Sequence, residues 1–290
     1  MDILILGGTR YFGIHLVNQL LQYDHRITIA TRGQAEDSFG SHVERLTVER
    51  TDYLSLRAAL KGREYDVIFD NLAYCSNDVK ALLDVVQPGR YIMTSTASVY
   101  NPLHMGTTEA DFDPLTYPLV WCSRNDFPYD EVKRQAECAL FQAYPQVSGM
   151  AIRFPFVIGP DDYTNRLRFY VEHAIREEAM QVDNADAHMA FIHSREAGNF
   201  LAWLATADFT GPMNACSRGT ITLRDMLTYI TEKTGKFAPL TLDSEPAPYN
   251  GARDYSLVCE RANDLGYTFS DLRSWIFGLL DILMAETLLS

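Results

Sequence analysis

The sequence predicts an α/β fold in which a doubly wound parallel sheet is followed by a smaller C-terminal lobe. Three observations predict it. Short apolar runs alternate with helical patterns as far as residue 154. The first apolar run, residues 3–6, leads through Gly7 and Gly8 into a helical pattern that begins near Tyr11. From Gly159 onwards the alternation becomes irregular, which indicates a second, smaller unit.

The turn after the first strand is typical of a site for the pyrophosphate of a dinucleotide. Strand, glycine turn and helix follow one another without spare residues between Gly7 and Gly13, and Arg10 stands where many such loops have a middle glycine. Glycines let the backbone turn tightly and approach an anion, which the free N–H groups and the positive dipole end of the helix then bind. The alternative is a turn with a structural role only.

Five further strands and three crossover helices are predicted in the first domain, which we bound at residues 1–158. The strands fall at residues 26–30, 46–49, 66–70, 91–96 and 150–154, and the helices at residues 54–60, 79–86 and 129–143. Residues 102–128 are polar and rich in proline and aromatic residues. Because a loop of that length in a compact domain is usually functional or disordered, we expect it to form a lid on the substrate side.

Residues 159–290 are expected to form mainly a substrate-binding lobe, from which segments such as residues 188–207 return to the first domain. A turn is predicted at residues 159–162, and helices at residues 194–207 and 223–234. The stretch 161–166 either contacts substrate or begins a helix capped by Thr164. The apolar run 275–289 is interrupted by Asp281 and Glu286, so we expect a docking helix rather than a membrane span.

Composition narrows the classes of protein and of partner. The net charge is −13 and the pI about 4.9, which argues against nucleic-acid binding, because a basic face supplies most of that affinity. The five scattered cysteines form no CxxC pair and indicate reduced thiols in a cytosolic protein. No signal peptide is visible, so we expect a cytoplasmic location without membrane contact. The seven histidines show no metal-ligand spacing, and His193 is expected to be a core or hydrogen-bonded residue.

The end of the second strand predicts which dinucleotide is bound. NAD sites usually place Asp or Glu there to hold the ribose 2′-hydroxyl, whereas an arginine can receive the 2′-phosphate of NADP. Here the strand is followed by Thr31, Arg32 and Gly33, and no acid occurs until Glu36. Arg32 and Arg10 could together hold that phosphate, so NADP is favoured over NAD. The alternative is that Arg32 is a solvated turn residue.

A threonine, a tyrosine and a lysine form the candidate catalytic group. Tyr129 and Lys133 are four residues apart on one predicted helix face, and Thr96 ends the fifth strand. A neighbouring ammonium favours a phenolate, so we expect Lys133 to lower the pKa of Tyr129 from its usual value near ~10. Tyr129 would then serve as a general acid or base, while Thr96 orients the substrate oxygen.

Several segments of the chain resemble those of one enzyme family. GGTRYFG resembles its glycine motif, and TSTASVY resembles its segment with the catalytic hydroxyl. YDEVK resembles its YxxxK motif, and RFPFVIGP resembles its RPxxVxGP run. The family is that of the extended or atypical short-chain dehydrogenase/reductases, the NAD(P)-dependent epimerase/dehydratase family. The resemblance implies a Rossmann-type fold, an acid/base role for Tyr129 with Lys133 as its partner, and Thr96 as the orienting hydroxyl. It implies a cofactor site made of Gly7, Thr9, Arg10, Tyr11, Phe12, Gly13, Asn71, Leu72, Ala73, Phe154, Pro155 and Phe156, to which the argument from the residues themselves adds Arg32 and Lys133.

The resemblance also implies an activity. We expect hydride transfer at a carbon that bears a hydroxyl or keto group, as epimerisation, dehydration or reduction, on a small molecule such as a sugar or nucleotide-sugar. Phe156 departs from the family pattern, because sugar epimerases usually have an asparagine there that contacts a nucleotide-sugar. Family members often dimerise through the tyrosine-bearing helix, so a homodimer is expected here.

One subgroup of the family suggests an alternative function. The GGTRxxG motif and residues 49–52 resemble a subgroup that includes chloroplast stem-loop RNA-binding proteins, with Glu49 in place of that subgroup's aspartate. The alternative is therefore a dinucleotide-sensing regulatory protein that binds RNA, which the acidic charge disfavours.

Overall fold

The computed structural model describes residues 1–241 and 243–289. The strands are β1 (Asp2–Leu6), β2 (Arg26–Thr31), β3 (Val43–Thr47), β4 (Val67–Asp70), β5 (Arg90–Thr96), β6 (Ser148–Phe154), β7 (Phe156–Ile158), β8 (Met180–Gln181), β9 (His188–Met189), β10 (Phe191–His193), β11 (Gly211–Asn214), β12 (Ile221–Thr222) and β13 (Glu245–Pro246). The helices are α1 (Phe12–Leu20), α2 (Tyr53–Leu60), α3 (Ser76–Leu83), α4 (Tyr129–Cys138), α5 (Arg166–Arg176), α6 (Ser194–Trp203), α7 (Leu223–Thr234), α8 (Glu260–Asp264) and α9 (Ile276–Leu289).

Seven strands form one parallel sheet in the order β11-β6-β5-β4-β1-β2-β3. The predicted doubly wound sheet is therefore confirmed. The strand order reverses at β1, which has β2 on one side and β4 on the other. In such sheets the crevice beyond the carboxyl ends of the strands at this reversal is where ligands bind.

Strand β1 is at the centre of two apolar layers. Its residues Ile3 and Ile5 face the cluster that includes α1 and α6, while Leu4 and Leu6 face the cluster that includes α2, α3 and α4. Successive side chains of a strand point to opposite faces, so a strand covered on both sides must be apolar throughout. This explains why the sequence signal for β1 is strong.

The edge strand β3 was predicted less well. The sequence pattern predicts it at residues 46–49, but it runs from Val43 to Thr47. Among the described residues it pairs with β2 alone, and Glu44, Arg45 and Thr47 are exposed. An edge strand with so many polar positions has a weak apolar pattern, which explains the shifted prediction.

Two segments of the C-terminal half return to the sheet domain. Helix α6 packs against α1 so closely that a Cβ at Gly198 would lie 2.5 Å from the carbonyl oxygen of Phe12. Strand β11 pairs with β6 and forms the edge of the main sheet, which the sequence did not predict. Helix α9 packs against α5 and α7, which is the predicted docking role. Within residues 1–241 and 243–289, no helix is both long and apolar enough to cross a membrane.

The middle of the 102–128 segment covers helix α4. The main-chain N–H of Val120 donates to the side-chain oxygen of Gln135 at 2.6 Å, and Tyr117 donates to Glu131 at 2.9 Å. All α4 residues from Val132 to Cys138 are buried. The prediction of a lid is therefore wrong for the middle of this segment, because its polar groups form hydrogen bonds with those of α4.

All five cysteines are free thiols, as predicted, and four of them are buried.

Candidate active site

A cleft of about 930 Å³ opens at the carboxyl ends of β1, β2, β4 and β5. Nearly all the residues predicted to bind cofactor or to act in catalysis line it. These are Gly7, Thr9, Arg10, Tyr11, Phe12, Gly13, Arg32, Asn71, Leu72, Thr96, Tyr129, Lys133, Phe154, Pro155 and Phe156. Ala73 is the exception: it is fully buried, and its carbonyl oxygen accepts a hydrogen bond from Lys133.

The glycine loop lets the start of α1 approach strand β1 closely. Gly7 has φ +76°, and a Cβ at Gly13 would lie 2.9 Å from the Cα of Gly8. Real Cβ atoms essentially never come this close to backbone, so position 13 requires glycine. The first turn of α1 contains no acidic residue. The loop and helix end therefore fit a pyrophosphate.

Tyr11 fixes the loop to the opposite wall of the cleft. It has φ 57° and ψ −141°, a conformation that costs free energy for a residue with a side chain. Its hydroxyl donates a hydrogen bond to the carbonyl oxygen of Val157 in β7. The glycine loop and the strand leading into the C-terminal lobe are thus joined directly.

The threonine, tyrosine and lysine converge as the sequence predicts. Thr96 is the last residue of β5, and Tyr129 and Lys133 occupy the first two turns of α4. Lys133 is 3% exposed and its Nζ donates to the carbonyl oxygens of Ala73 at 2.7 Å and Thr94 at 2.9 Å. The oxygen of the Thr96 side chain accepts from the N–H of Ser98 at 3.1 Å, which fixes the end of the strand.

The pKa of Tyr129 differs from the sequence-based expectation. Half of the residue is exposed to the cleft, yet withdrawal of its hydroxyl from bulk water raises its pKa to about 12. Tyr74 acts in the same direction, while a hydrogen bond with Thr96 and the charge of Arg166 oppose the rise. The expectation that the ammonium of Lys133 lowers this pKa below its usual value is wrong for this structure, because burial has the larger effect.

Burial also changes Lys133. It lowers the pKa of the ammonium to about 8, although the carboxylates of Asp70, Asp78 and Glu137 act in the opposite direction. In the described part of the chain no carboxylate lies within ion-pair distance of Nζ. Lys133 therefore titrates much closer to neutral pH than an exposed lysine does.

The end of the cleft near Arg32 contains an acid that the sequence analysis names only in its comparison with the RNA-binding subgroup. Glu49, just after β3, lines the cleft together with Arg32. Hydrogen bonds from Thr51 lower its pKa most, and the charges of Arg32 and Arg124 add to that effect. The sequence separates Glu49 from Arg32 by a whole strand, but parallel neighbours β2 and β3 place their ends side by side.

The other end of the cleft is lined by the C-terminal lobe. Tyr163, Thr164, Arg166, Arg253 and Tyr255 contribute to it. Among the sequence signals, only the stretch 161–166 pointed to any of them.

The proposed helix cap at Thr164 is wrong. Helix α5 begins at Arg166 after Asn165, and Thr164 instead donates from its N–H to Asp162 at 2.9 Å.

His193 is a hydrogen-bonded residue, as expected: its Nδ1 accepts from the N–H of Arg195 at 3.1 Å and caps α6. Within the described residues, no three or more His, Cys, Asp or Glu side chains group so that they could hold a metal ion.

Comparisons with known proteins agree with this geometry. Residues 3–84 match the NAD dependent epimerase/dehydratase family. Over 112 residues the chain is 30% identical to the chloroplast stem-loop binding protein of 41 kDa b from Arabidopsis thaliana; this region covers 34% of the chain and 30% of that relative. Over 261 residues it is 23% identical to UDP-glucuronic acid decarboxylase 6 from the same plant, covering 80% of the chain and 74% of the relative.

A solved structure shows the same fold over the whole chain. MoeE5 in complex with UDP-glucose and NAD superimposes with a TM-score of 0.78 at 20% identity, and the alignment covers 100% of both chains. The family match includes the glycine loop, the second and third strands and the Asn71–Leu72 wall of the cleft. The chain is therefore similar to the NAD dependent epimerase/dehydratase family over residues 3–84, and it shares the fold of MoeE5 over its whole length.

Proposed function

We propose that the protein is an NAD(P)-dependent enzyme that transfers a hydride at a carbon bearing a hydroxyl or keto group. One observation carries the proposal: Thr96, Tyr129 and Lys133 line the same cleft as the glycine loop. A Tyr–Lys pair with a structural role alone would not need to line the same cleft as the glycine loop. Their shared position supports a site in which proton transfer and a redox cofactor act on one substrate.

The proposed mechanism assigns a role to each of the three side chains. The nicotinamide, when bound, would supply or receive the hydride. Tyr129 is protonated at neutral pH, because its pKa is about 12, so its hydroxyl donates a proton to the substrate oxygen as a carbonyl is reduced and recovers it in the reverse direction. Thr96 would hold the same oxygen by a hydrogen bond. Lys133 places a positive charge beside the phenol and would contact the ribose of the cofactor.

The proposed cofactor is NADP in preference to NAD. Arg10 and Arg32 line the cleft, and in the described part of the chain neither side chain has an ion-pair partner within 4.0 Å. A guanidinium recognises phosphate through strong, charge-assisted hydrogen bonds. Glu49 works against this preference, since its carboxylate lies close enough to Arg32 to feel its charge. The balance between these groups decides between the two cofactors.

The proposed substrate is an anionic small molecule of the sugar or nucleotide-sugar class. Arg166 and Arg253 line the far end of the cleft, and among the described residues neither has an ion-pair partner. The guanidinium of Arg166 lies 5.8 Å from the ring centroid of Phe156, the position at which sugar epimerases usually have asparagine. The protein has a net charge of −13, so unpaired arginines in one cleft indicate selection for an anionic ligand.

A substrate screen tests this function. The protein is incubated with NADP or NAD and with UDP-sugars, sugar phosphates or neutral sugars, and products are separated by chromatography while nicotinamide absorbance is followed. We expect conversion of a phosphate-bearing sugar and none with Tyr129→Phe. Equal conversion by Tyr129→Phe and the wild-type protein would contradict the mechanism. Conversion of neutral sugars alone would contradict the substrate class.

The second candidate is a dinucleotide-sensing protein that binds RNA. The 30% identity with a stem-loop binding protein favours it, although that match covers only 34% of the chain. A mobility shift with structured RNA across a salt series separates the two functions, because specific charge-driven binding weakens steeply with salt. Absence of binding at low salt would remove this candidate.

Assembly and location are proposed from the family resemblance and the composition. We place the protein in the cytoplasm and propose a homodimer. Since the 102–128 segment covers α4 from Val132 to Cys138, the dimer would have to use a face other than this part of the helix. Light scattering measures the mass of the protein as it elutes from a size-exclusion column, and the mass of a single chain would contradict the dimer.

A further inference from the structure

Tyr74 is a cleft residue that the proposed mechanism does not use. It lies four residues after β4, half-buried in the cleft wall beside Tyr129, with the two ring centroids 6.1 Å apart in an edge-on arrangement. Its N–H donates to the buried carboxylate of Asp78 at 2.8 Å, which fixes its backbone. None of the sequence motifs includes it.

Two cations lie against the ring of Tyr74. The Nζ of Lys133 and the guanidinium carbon of Arg124 are each 4.6 Å from its centroid. Lys133 is 6.0 Å from the centroid of the Tyr129 ring, so the ring of Tyr74 is the nearer of the two. Arg124 is itself held by Asp78 at 3.0 Å and by the carbonyl oxygen of Leu72 at 2.8 Å. The ring is therefore fixed in place against the lysine.

The buried ammonium has few other sources of stabilisation. Two of its three N–H groups donate to backbone carbonyls, and no carboxylate in the described structure forms an ion pair with it. Asp70, Asp78 and Glu137 favour its charged form from a distance, whereas Arg124 disfavours it. A ring face next to a desolvated cation is among the stronger cation–π arrangements.

We propose that Tyr74 is a positioning residue, whose aromatic ring keeps Lys133 protonated and directed at the cofactor side of the active site. The phenol hydroxyl is not needed for this role. The consequence of this contact for catalysis rests on the proposed function. The contact between the Tyr74 ring and the Lys133 ammonium is a property of the folded protein, so its effect is measurable without substrate.

The chain has only five lysines, so the protonation of Lys133 is directly observable. Full-length protein is labelled with lysine carrying ¹³C at Cε, the Lys133 signal is assigned from its loss in Lys133→Met, and its chemical shift is followed against pH. We expect a wild-type midpoint near the pKa of about 8, and the same midpoint in Tyr74→Phe, which keeps the ring. Tyr74→Leu should lower the midpoint by about 1 pH unit, the shift expected from losing a buried cation–π contact.

Two further variants complete the test. Trp121→Leu removes the ring 5.6 Å from the exposed Lys80 and should leave the Lys133 midpoint unchanged. If Tyr74→Leu fails to fold, pentafluorophenylalanine is placed at position 74 instead. It keeps the shape of the ring but removes the negative charge density of the ring face, so the midpoint of the Lys133 titration should fall by the same amount.

An unchanged midpoint in Tyr74→Leu or in the fluorinated protein would overturn the proposal. So would an equal fall in Tyr74→Phe, because the hydroxyl and not the ring would then matter. If the midpoints behave as expected but no substrate is turned over, the positioning role stands and only the proposed function fails.

Discussion

The Nε2 atom of His15, on the glycine-loop helix, lies 2.9 Å from the Oδ2 atom of Asp161, at the turn that opens the C-terminal lobe. The other carboxylate oxygen accepts from the hydroxyl of Ser194 at 2.6 Å, where α6 begins. One side chain therefore joins α1, α6 and the turn that leads to Tyr163, Thr164 and Arg166 in the wall of the cleft. Any movement of that turn is coupled to the helix that would hold the cofactor phosphates.

Asp161→Asn should destabilise the protein by about 1 kcal/mol at neutral pH, the usual effect of losing a partly buried hydrogen bond. Burial alone would raise the pKa of Asp161, but the hydrogen bonds with His15 and Ser194 outweigh it and hold the pKa below its ordinary value of 3.8. A lowered folded-state pKa gives stability that is complete above 3.8 and lost as the pH falls through the folded value. Urea titrations should show the difference at pH 5 and should show it shrink as the pH falls below 4; a difference that persists undiminished at pH 2 would contradict the assignment.

Gly13→Val should abolish dinucleotide binding while leaving the protein folded. The nearest backbone atom would be 2.9 Å from the new Cβ, so the start of α1 must move away from the anion. Calorimetry with NADP and NAD measures binding, and circular dichroism measures the fold. Gly278→Ala in α9 is the control: none of the described residues lies within 4 Å of its Cβ, so binding should not change and stability should rise by up to about 1 kcal/mol. Normal binding by Gly13→Val would place the phosphate loop elsewhere.

Arg32→Ala should weaken binding of NADP and leave that of NAD nearly unchanged. The guanidinium would lose its charge-assisted contact with the 2′-phosphate, which only NADP has. Glu49→Gln should have the opposite effect and strengthen NADP binding, because it removes a negative charge near the same phosphate. Equal losses for both cofactors in Arg32→Ala would refute the assignment of Arg32 to the 2′-phosphate.

Glu137→Gln should destabilise the fold by about 3–5 kcal/mol, the effect of leaving one member of a buried ion pair unpaired. Glu137 and Arg153 are both fully buried, with 2.6 Å between their charged atoms. Arg153 also donates to the carbonyl oxygens of Glu109 and Phe112, so it holds the start of the 102–128 segment. Urea unfolding measures the change. Asp186→Asn breaks the exposed pair with Arg224 and should have no measurable effect; an equally small effect for Glu137→Gln would contradict the structural role.

The parts of the fold that the sequence predicted best are those with local signals. Strand β1 is apolar from Ile3 to Leu6 because both faces are buried there, and the glycine loop follows it without interruption. The Tyr129–Lys133 pair is visible because four residues bring side chains onto one helix face. In each case the residues that matter are close together in the chain.

The features that were missed depend on contacts between distant segments. Glu49 lies near enough to Arg32 to feel its charge because β2 and β3 end side by side, and Arg124 contacts Tyr74 because the 102–128 segment returns to the loop after β4. The raised pKa of Tyr129 is a consequence of burial, which spacing alone does not reveal. Strand β11 was missed because it has only four residues, including one glycine and one proline.

The most direct test of the proposed mechanism is the single-turnover rate of Tyr129→Phe, measured with saturating cofactor on any substrate that the wild-type protein converts. Phenylalanine retains the ring but has no proton to exchange. The account predicts a rate about 10²–10⁴-fold below wild type, typical of losing a general acid or base, with unchanged cofactor affinity. A wild-type rate in Tyr129→Phe would remove Tyr129 from the mechanism, and a loss explained entirely by weaker cofactor binding would reduce it to a structural residue.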